Sequence, residues 1–234
     1  MKRYAVCSEG LPEGAAKALS AGYEVILLPP HPALASPVAS HADMVFRVLD
    51  DSVFFDKIYA KRYPDVVAKI ARSGGFKVVI TDDVPGEEYP ADVKFNVLAG
   101  EGFAAAKRGA VSRDLLSAVE SSGRKFIPVN QGYSACSCLL ANGALITADR
   151  GITSALGEYA DALLISPGHI SLPPYNEGFI GGASGFDGER VYFVGDVMTH
   201  PDGERIVSHL AAHGVPSVSL TDGELFDVGG IVFI

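Results

Sequence analysis

The sequence contains no tryptophan and only three cysteines, Cys7, Cys136 and Cys138. Three thiols do not build a disulfide framework. Cys136 and Cys138 stand two apart, where strand geometry points both side chains the same way without letting them converge. A reduced thiol state, and with it a cytoplasmic setting, is the expectation. Basic residues are also short: 19 Lys and Arg stand against 28 Asp and Glu, a formal net charge of −9. That balance argues against nucleic acid or an anionic membrane surface as a partner. It suits a cationic or neutral small molecule, and it equally serves solubility alone. No apolar run reaches the roughly 18 residues of a membrane span. The opening stretch MKRYAVCSEGLPEG lacks the apolar core of a secretory signal. Neither Gly-x-Gly-x-x-Gly nor the Gly-rich phosphate loop ending in Gly-Lys occurs, so no nucleotide cofactor is implied. No linker or low-complexity tract divides the chain, which predicts one domain over residues 1–234.

What is present is a recurring unit. Residues 134–149 read as two apolar runs joined by Asn142-Gly143, a pair that tolerates the positive φ angles of a type I′ hairpin turn. The same layout returns at 41–56 around Asp50-Asp51, at 91–106 around AGEG, and at 178–196 around Asp187-Gly188. A fifth copy is split: Asp227–Ile234 supplies one strand, and Arg3–Cys7 supplies its partner from the other end. Asp43, Asp92, Cys136, Gly178 and Asp227 mark equivalent points. Their gaps are 49, 44, 42 and 49 residues, and 50 counted round through the termini. A period in this range signals repeated supersecondary units.

Each hairpin is followed by a helix and one further strand. Pro12 opens the first helix, where its missing N–H costs nothing. Pro64–Arg72 carries Val66, Val67 and Ile70 along one side. Ser112 is placed to cap a helix bearing Leu115, Leu116 and Val119. Ile152–Tyr159 forms a short helix, and Thr199-His200-Pro201 opens the last one. Gly22, Gly74-Gly75, Gly123 and Gly214 end helices, and the strands that follow are 23–28, 77–80, 125–129, 162–165 and 217–220. The prediction is an α/β fold, a five-fold pseudosymmetric propeller of hairpin–helix–strand repeats. Pairing of the N- and C-terminal strands closes it and removes exposed edges.

Five such units in a ring resemble the pentein fold. This is the α/β-propeller of the guanidino-group-modifying enzymes: arginine deiminases, dimethylarginine dimethylaminohydrolases and amidinotransferases. The fold also occurs in a ribosome anti-association factor without that chemistry. The resemblance covers nearly the whole chain and looks closest to an uncharacterised bacterial branch. The family's enzymes attack an amidine carbon with a cysteine just beyond a C-terminal glycine-rich turn. The matching segment here, Gly229-Gly230-Ile231-Val232-Phe233-Ile234, keeps the glycines and has no thiol. Gly181-Gly182-Ala183 stands where the family has Gly-Gly-Asp. Asn130–Cys136 stands where a histidine motif is usual. The resemblance therefore implies the fold, and a protein that keeps the channel without the usual amidino reaction.

In such a ring the strand starts face one central channel. The polar residues there are His41 and Asp43, then Asp92, then Asn130, Gln131, Ser134 and Cys136. The fourth unit offers His169, Asn176 and Glu177, and the fifth Asp222, Glu224 and Asp227. Asp43, Asp92, Asn130, Asn176, Glu177 and Asp227 are candidates to hold a cationic or polar ligand through charge-assisted hydrogen bonds. The recurring Asp43, Asp92 and Asp227 have a second reading as carboxylates that bond backbone N–H groups in turns. Asp56, Asp149 and Asp196 read as loop or helix-entry residues that bond backbone groups, and Asp82, Asp83, Glu87 and Glu88 as a solvated surface. Cys136, with His41 or His169 as base, is the candidate catalytic set for a C–N bond reaction. As a buried small residue it is inert. Cys-x-Cys lacks the usual zinc spacing, so no metal is assigned. The loop Ser166–Gly185 is long and aperiodic; such loops are usually functional or disordered, and its prolines and glycines argue for order.

Overall fold

The protein is described by a computed structural model over residues 2–234. Strand β1 (Tyr4–Ser8) leads through helix α1 (Glu13–Leu19) to β2 (Glu24–Leu28). One turn of helix, α2 (Ala42–Val45), precedes the hairpin β3 (Phe46–Leu49) and β4 (Ser52–Asp56). Helices α3 (Lys57–Arg62) and α4 (Pro64–Gly74) then return the chain to β5 (Lys77–Thr81). The next unit is β6 (Leu98–Ala99), β7 (Phe103–Ala106), α5 (Arg113–Ser121) and β8 (Lys125–Pro128). The third is β9 (Cys138–Ala141), β10 (Ala144–Thr147), α6 (Arg150–Leu156) and β11 (Asp161–Leu164). After the short strand β12 (Ile170–Ser171) come β13 (Ser184–Phe186), β14 (Val191–Phe193), α7 (Gly203–Ala212) and β15 (Ser217–Ser219). Strands β16 (Leu225–Phe226) and β17 (Val232–Phe233) end the chain.

Every unit forms a three-stranded sheet with one antiparallel and one parallel pairing: β3-β4-β5, β6-β7-β8, β9-β10-β11 and β13-β14-β15. The fifth sheet, β17-β1-β2, joins the two ends. Ala5 pairs with Phe233 and Val6 with Val232, antiparallel, while β1 and β2 run parallel. Tyr4 and Ile234 exchange both backbone hydrogen bonds at 3.0 Å. The ring is thus sealed by its termini. The parallel crossovers carry helices whose buried faces match the expected apolar positions, such as Val67 and Ile70 in α4 and Leu115 and Val119 in α5.

Local chemistry accounts for the punctuation. Asn142 (φ 49°) and Gly143 (φ 86°) make the expected hairpin turn. Gly75, at φ 68°, ends α4 in the left-handed cap. Asp56 accepts from the N–H of Ile58 and Tyr59, Asp149 from Ile152, and Asp196 from Met198. All three carboxylates therefore enter helical turns as expected. Ser112 stands at the start of α5 but caps nothing; its hydroxyl meets Thr81 Oγ1 at 3.0 Å.

The starts of the hairpins differ from expectation. His41–Val45, Asp92–Val97, Ser134–Ser137 and Gly178–Ala183 are not strand. In each, the backbone closes a turn: Val45 N donates to His41 O, Asn96 to Val93, Ser137 to Tyr133 and Ala183 to Phe179. Strand periodicity failed there because consecutive residues, Ala42 to Phe46 among them, are all buried instead of alternating across a sheet. Cys136 consequently lies in a turn rather than in β9, and only Cys138 belongs to the strand.

Candidate functional site

Those turns bring their side chains and backbone to the centre of the ring, and each unit supplies a piece. The first contributes His41, Asp43 and Met44. The second contributes Asn96, which is fully buried. Its Oδ1 accepts from the N–H groups of Ala135 (2.7 Å) and Cys136 (3.2 Å) in the third unit. The fourth contributes Phe179 and Gly182, and the fifth contributes Asp227.

Asp227 is the hub. Its oxygens accept from Phe179 N and Gly229 N, each at 2.8 Å. The Cys136 Sγ lies 3.6 Å from Oδ2, and His41 Nδ1 lies 3.7 Å from Oδ1. Gly182 is required here, since a Cβ at that position would run into the Asp227 carboxylate. At φ 73°, Gly229 presses on His41 in the same way. Its carbonyl accepts from Asp43 N at 3.2 Å. Asp43 is buried, and neither of its carboxylate oxygens has a hydrogen-bond partner.

His41, Cys136 and Asp227 open onto one cavity of about 200 Å³, walled also by Tyr133, Tyr175, Glu177 and Phe179. Asp43 and Arg47 border a different cavity of about 210 Å³ that shares no residue with the first. A third, of about 460 Å³, again touches His41 and Asp227 and reaches Ser8 and Ser40.

The electrostatics follow from crowding two carboxylates and a thiol in a dry place. Burial, then the Asp227 charge, pushes Asp43 up to about 7. Burial, then the Asp227 and Asp43 charges, raises the Cys136 thiol well above its ordinary value. Burial lowers His41, with Asp227 pulling the other way. At neutral pH the cluster therefore holds a protonated thiol and a neutral imidazole. The thiol points at a carboxylate and makes no hydrogen bond to a histidine, so it lacks the partner that would activate it.

Of the residues singled out from sequence, His41, Cys136, Glu177 and Asp227 meet at one cavity. Asp92 stands behind it: its Oδ2 accepts from Tyr133 OH at 2.6 Å, and its Oδ1 is unpartnered. His169 is exposed and faces His200, with ring centroids 5.7 Å apart; it does not line the Cys136 cavity. Asn130 and Asn176 are exposed and do not line it either. Asp227 fits the turn-bonding reading of the recurring aspartates, whereas Asp43 does not. Asn96 and Tyr133 were not singled out. The available signal for Asn96 was an uncharged polar residue set between Phe95 and Val97, in a stretch whose other polar residue is Lys94.

The loop Ser166–Gly185 is pinned rather than loose. Within it β12 pairs in parallel with β16, Ile170 opposite Leu225. Gly178 N returns to Ile170 O at 2.8 Å, and Phe179 is bound by Asp227. The loop thereby delivers Tyr175 and Glu177 to the cavity.

The family of unknown function DUF6873 matches residues 6–232. The chain belongs to that family. No curated protein matches it. Among solved structures, this DUF6873 chain is similar to a DDAH from Pseudomonas aeruginosa, a cysteine-to-serine mutant complexed with citrulline. The TM-score is 0.62 at 11% identity, over 100% of both chains. It is similar to a dimethylarginine dimethylaminohydrolase adduct with 4-chloro-2-hydroxymethylpyridine, at TM-score 0.60 and 11% identity over 100% of both chains. An amidinotransferase from Microseira wollei, of the saxitoxin pathway, aligns at TM-score 0.53 and 13% identity, over 89% of this chain and 76% of its own. The DUF6873 chain therefore has the pentein propeller fold. No helix is long and apolar enough to cross a membrane among the described residues.

Proposed function

We propose that the protein binds a small cationic molecule, one bearing a guanidinium or amine, at the ring centre, and that Cys136 takes no covalent part. The observation that carries this is the Asp227 carboxylate, buried, fixed by two backbone N–H groups, and bordering a cavity lined by aromatic rings. A carboxylate held in that way needs no rearrangement to receive a cation. Tyr133 and Tyr175 offer ring faces that attract positive charge, and Glu177 adds a second carboxylate at the rim. A relative of the same fold solved with citrulline makes amino-acid-sized molecules the first probes.

The second reading, a C–N bond reaction with Cys136 as nucleophile and His41 as base, draws on their sharing that cavity. Against it stand the raised thiol and the missing Cys136–His41 contact.

Calorimetric titration with arginine, agmatine and methylated arginines tests the first reading. At least one should bind, with affinity falling tenfold or more in Asp227→Asn and no product detected. Failure of the whole panel to bind removes the cationic-ligand reading. Product formation that Cys136→Ser abolishes establishes the second.

A further inference from the structure

Away from the ring centre, α7 carries His209 in its last turn, and His213 caps its C-terminal end four residues on. That spacing sets both imidazoles on one side of the helix end, and their ring centroids are 5.2 Å apart. They face Asp161, the first residue of β11 in the neighbouring sheet. His213 Nε2 lies 3.0 Å from Asp161 Oδ2, and His209 Nε2 lies 3.0 Å from the Asp161 carbonyl oxygen. One donor atom from each of the three residues lies within 4.8 Å of the other two.

We infer that Asp161, His209 and His213 form a binding site for a borderline divalent transition metal, zinc or nickel in particular, that clasps α7 to the adjacent sheet. Two imidazole nitrogens and one carboxylate are a donor set suited to zinc, nickel, cobalt and copper. Magnesium and calcium prefer oxygen alone. At metal–donor lengths of about 2.0–2.2 Å, tetrahedral ligands sit about 3.4 Å from one another. The three donor atoms already lie within 4.8 Å of one another, so the site needs its side chains drawn in by little more than about 1 Å, the reach of a rotamer adjustment.

The frame beneath the three side chains is independently fixed. Ile206 and Leu210 of α7 are buried in one cluster with Ala144 and Ile146 of β10. Asn142, at the tip of the β9–β10 hairpin, donates to the His213 carbonyl at 2.9 Å. The C-terminal end of a helix also favours a cation. Because Asp161 is exposed and both histidines are half-buried, the remaining coordination positions would be filled by water. Such a metal would tie two units of the ring together rather than act on the central cavity.

The test uses the full chain stripped of metal with a chelator, then titrated with zinc, nickel, magnesium or calcium chloride. Melting temperature and calorimetry are recorded for the wild type, His209→Ala and Asp161→Asn. Zinc and nickel at a hundredfold excess over Kd should raise the wild-type Tm by about 5–10 °C. Magnesium and calcium should not. Each variant should fold with its unliganded Tm within a few degrees of wild type and bind zinc at least tenfold more weakly. Zinc binding undiminished in both variants would place the metal elsewhere and overturn the inference. Equal stabilisation by magnesium, or none by any metal, would do the same.

Discussion

Asp43 is the residue whose environment departs most from its chemistry. It is a buried carboxylate whose oxygens make no hydrogen bond, near both the Asp227 carboxylate and the Arg47 guanidinium, with burial and Asp227 outweighing Arg47. Its folded pKa, about 7, lies above the unfolded carboxylate value of about 3.9. Between those values the folded state binds the extra proton, so stability falls as pH rises from about 4 to 7. Asp43→Asn is expected to remove that slope. Its Tm should gain on the wild type at pH 7.5 and show no such gain at pH 4. An unchanged difference across that range would mean that Asp43 is solvated or paired. The opposite case is Asp56, which was legible from sequence because its work is local. It opens α3 through two N–H groups, and His31 Nε2 meets its other oxygen at 2.8 Å. The cap could be read from spacing; the histidine, 25 residues earlier, could not.

At the scale of elements, the readable features are those with a short-range cause. The Asn142-Gly143 turn, the left-handed Gly75 and the aspartate caps each depend on a few neighbouring residues. The turns at the hairpin starts were not readable, because their partners are remote. Ala135 and Cys136 bond to Asn96, about forty residues upstream. Phe179 bonds to Asp227, 48 residues downstream. An apolar run such as His41–Leu49 looks like one strand until a neighbouring unit demands that its start curl inward. Glycines mark where that neighbour comes close. Gly182→Ala is expected to displace the Asp227 carboxylate and cost about 1–3 kcal/mol by overpacking. Gly22→Ala, with nothing within 4 Å of the added carbon, should be near neutral. Urea unfolding of the two variants checks this; equal effects would mean that the Gly182 contact relaxes freely.

At the scale of the molecule, the period of the sequence was enough to give the ring, since five modules of similar length leave few arrangements without open edges. It was enough to pair the ends as well, and β1 and β17 do pair. It could not give the centre, which exists only once the ring is shut. Asp227 reaches Cys136 across 91 residues because β17 closes on β1. This closure holds Cys136 as a protonated, buried thiol beside the Asp227 carboxylate. Alkylation of the native protein with iodoacetamide at pH 8, mapped by peptide mass, tests it directly. Cys136 should stay unmodified for hours while folded and react fully in denaturant. Rapid labelling of Cys136 in the folded protein would contradict the claim and return the thiol to the role of nucleophile.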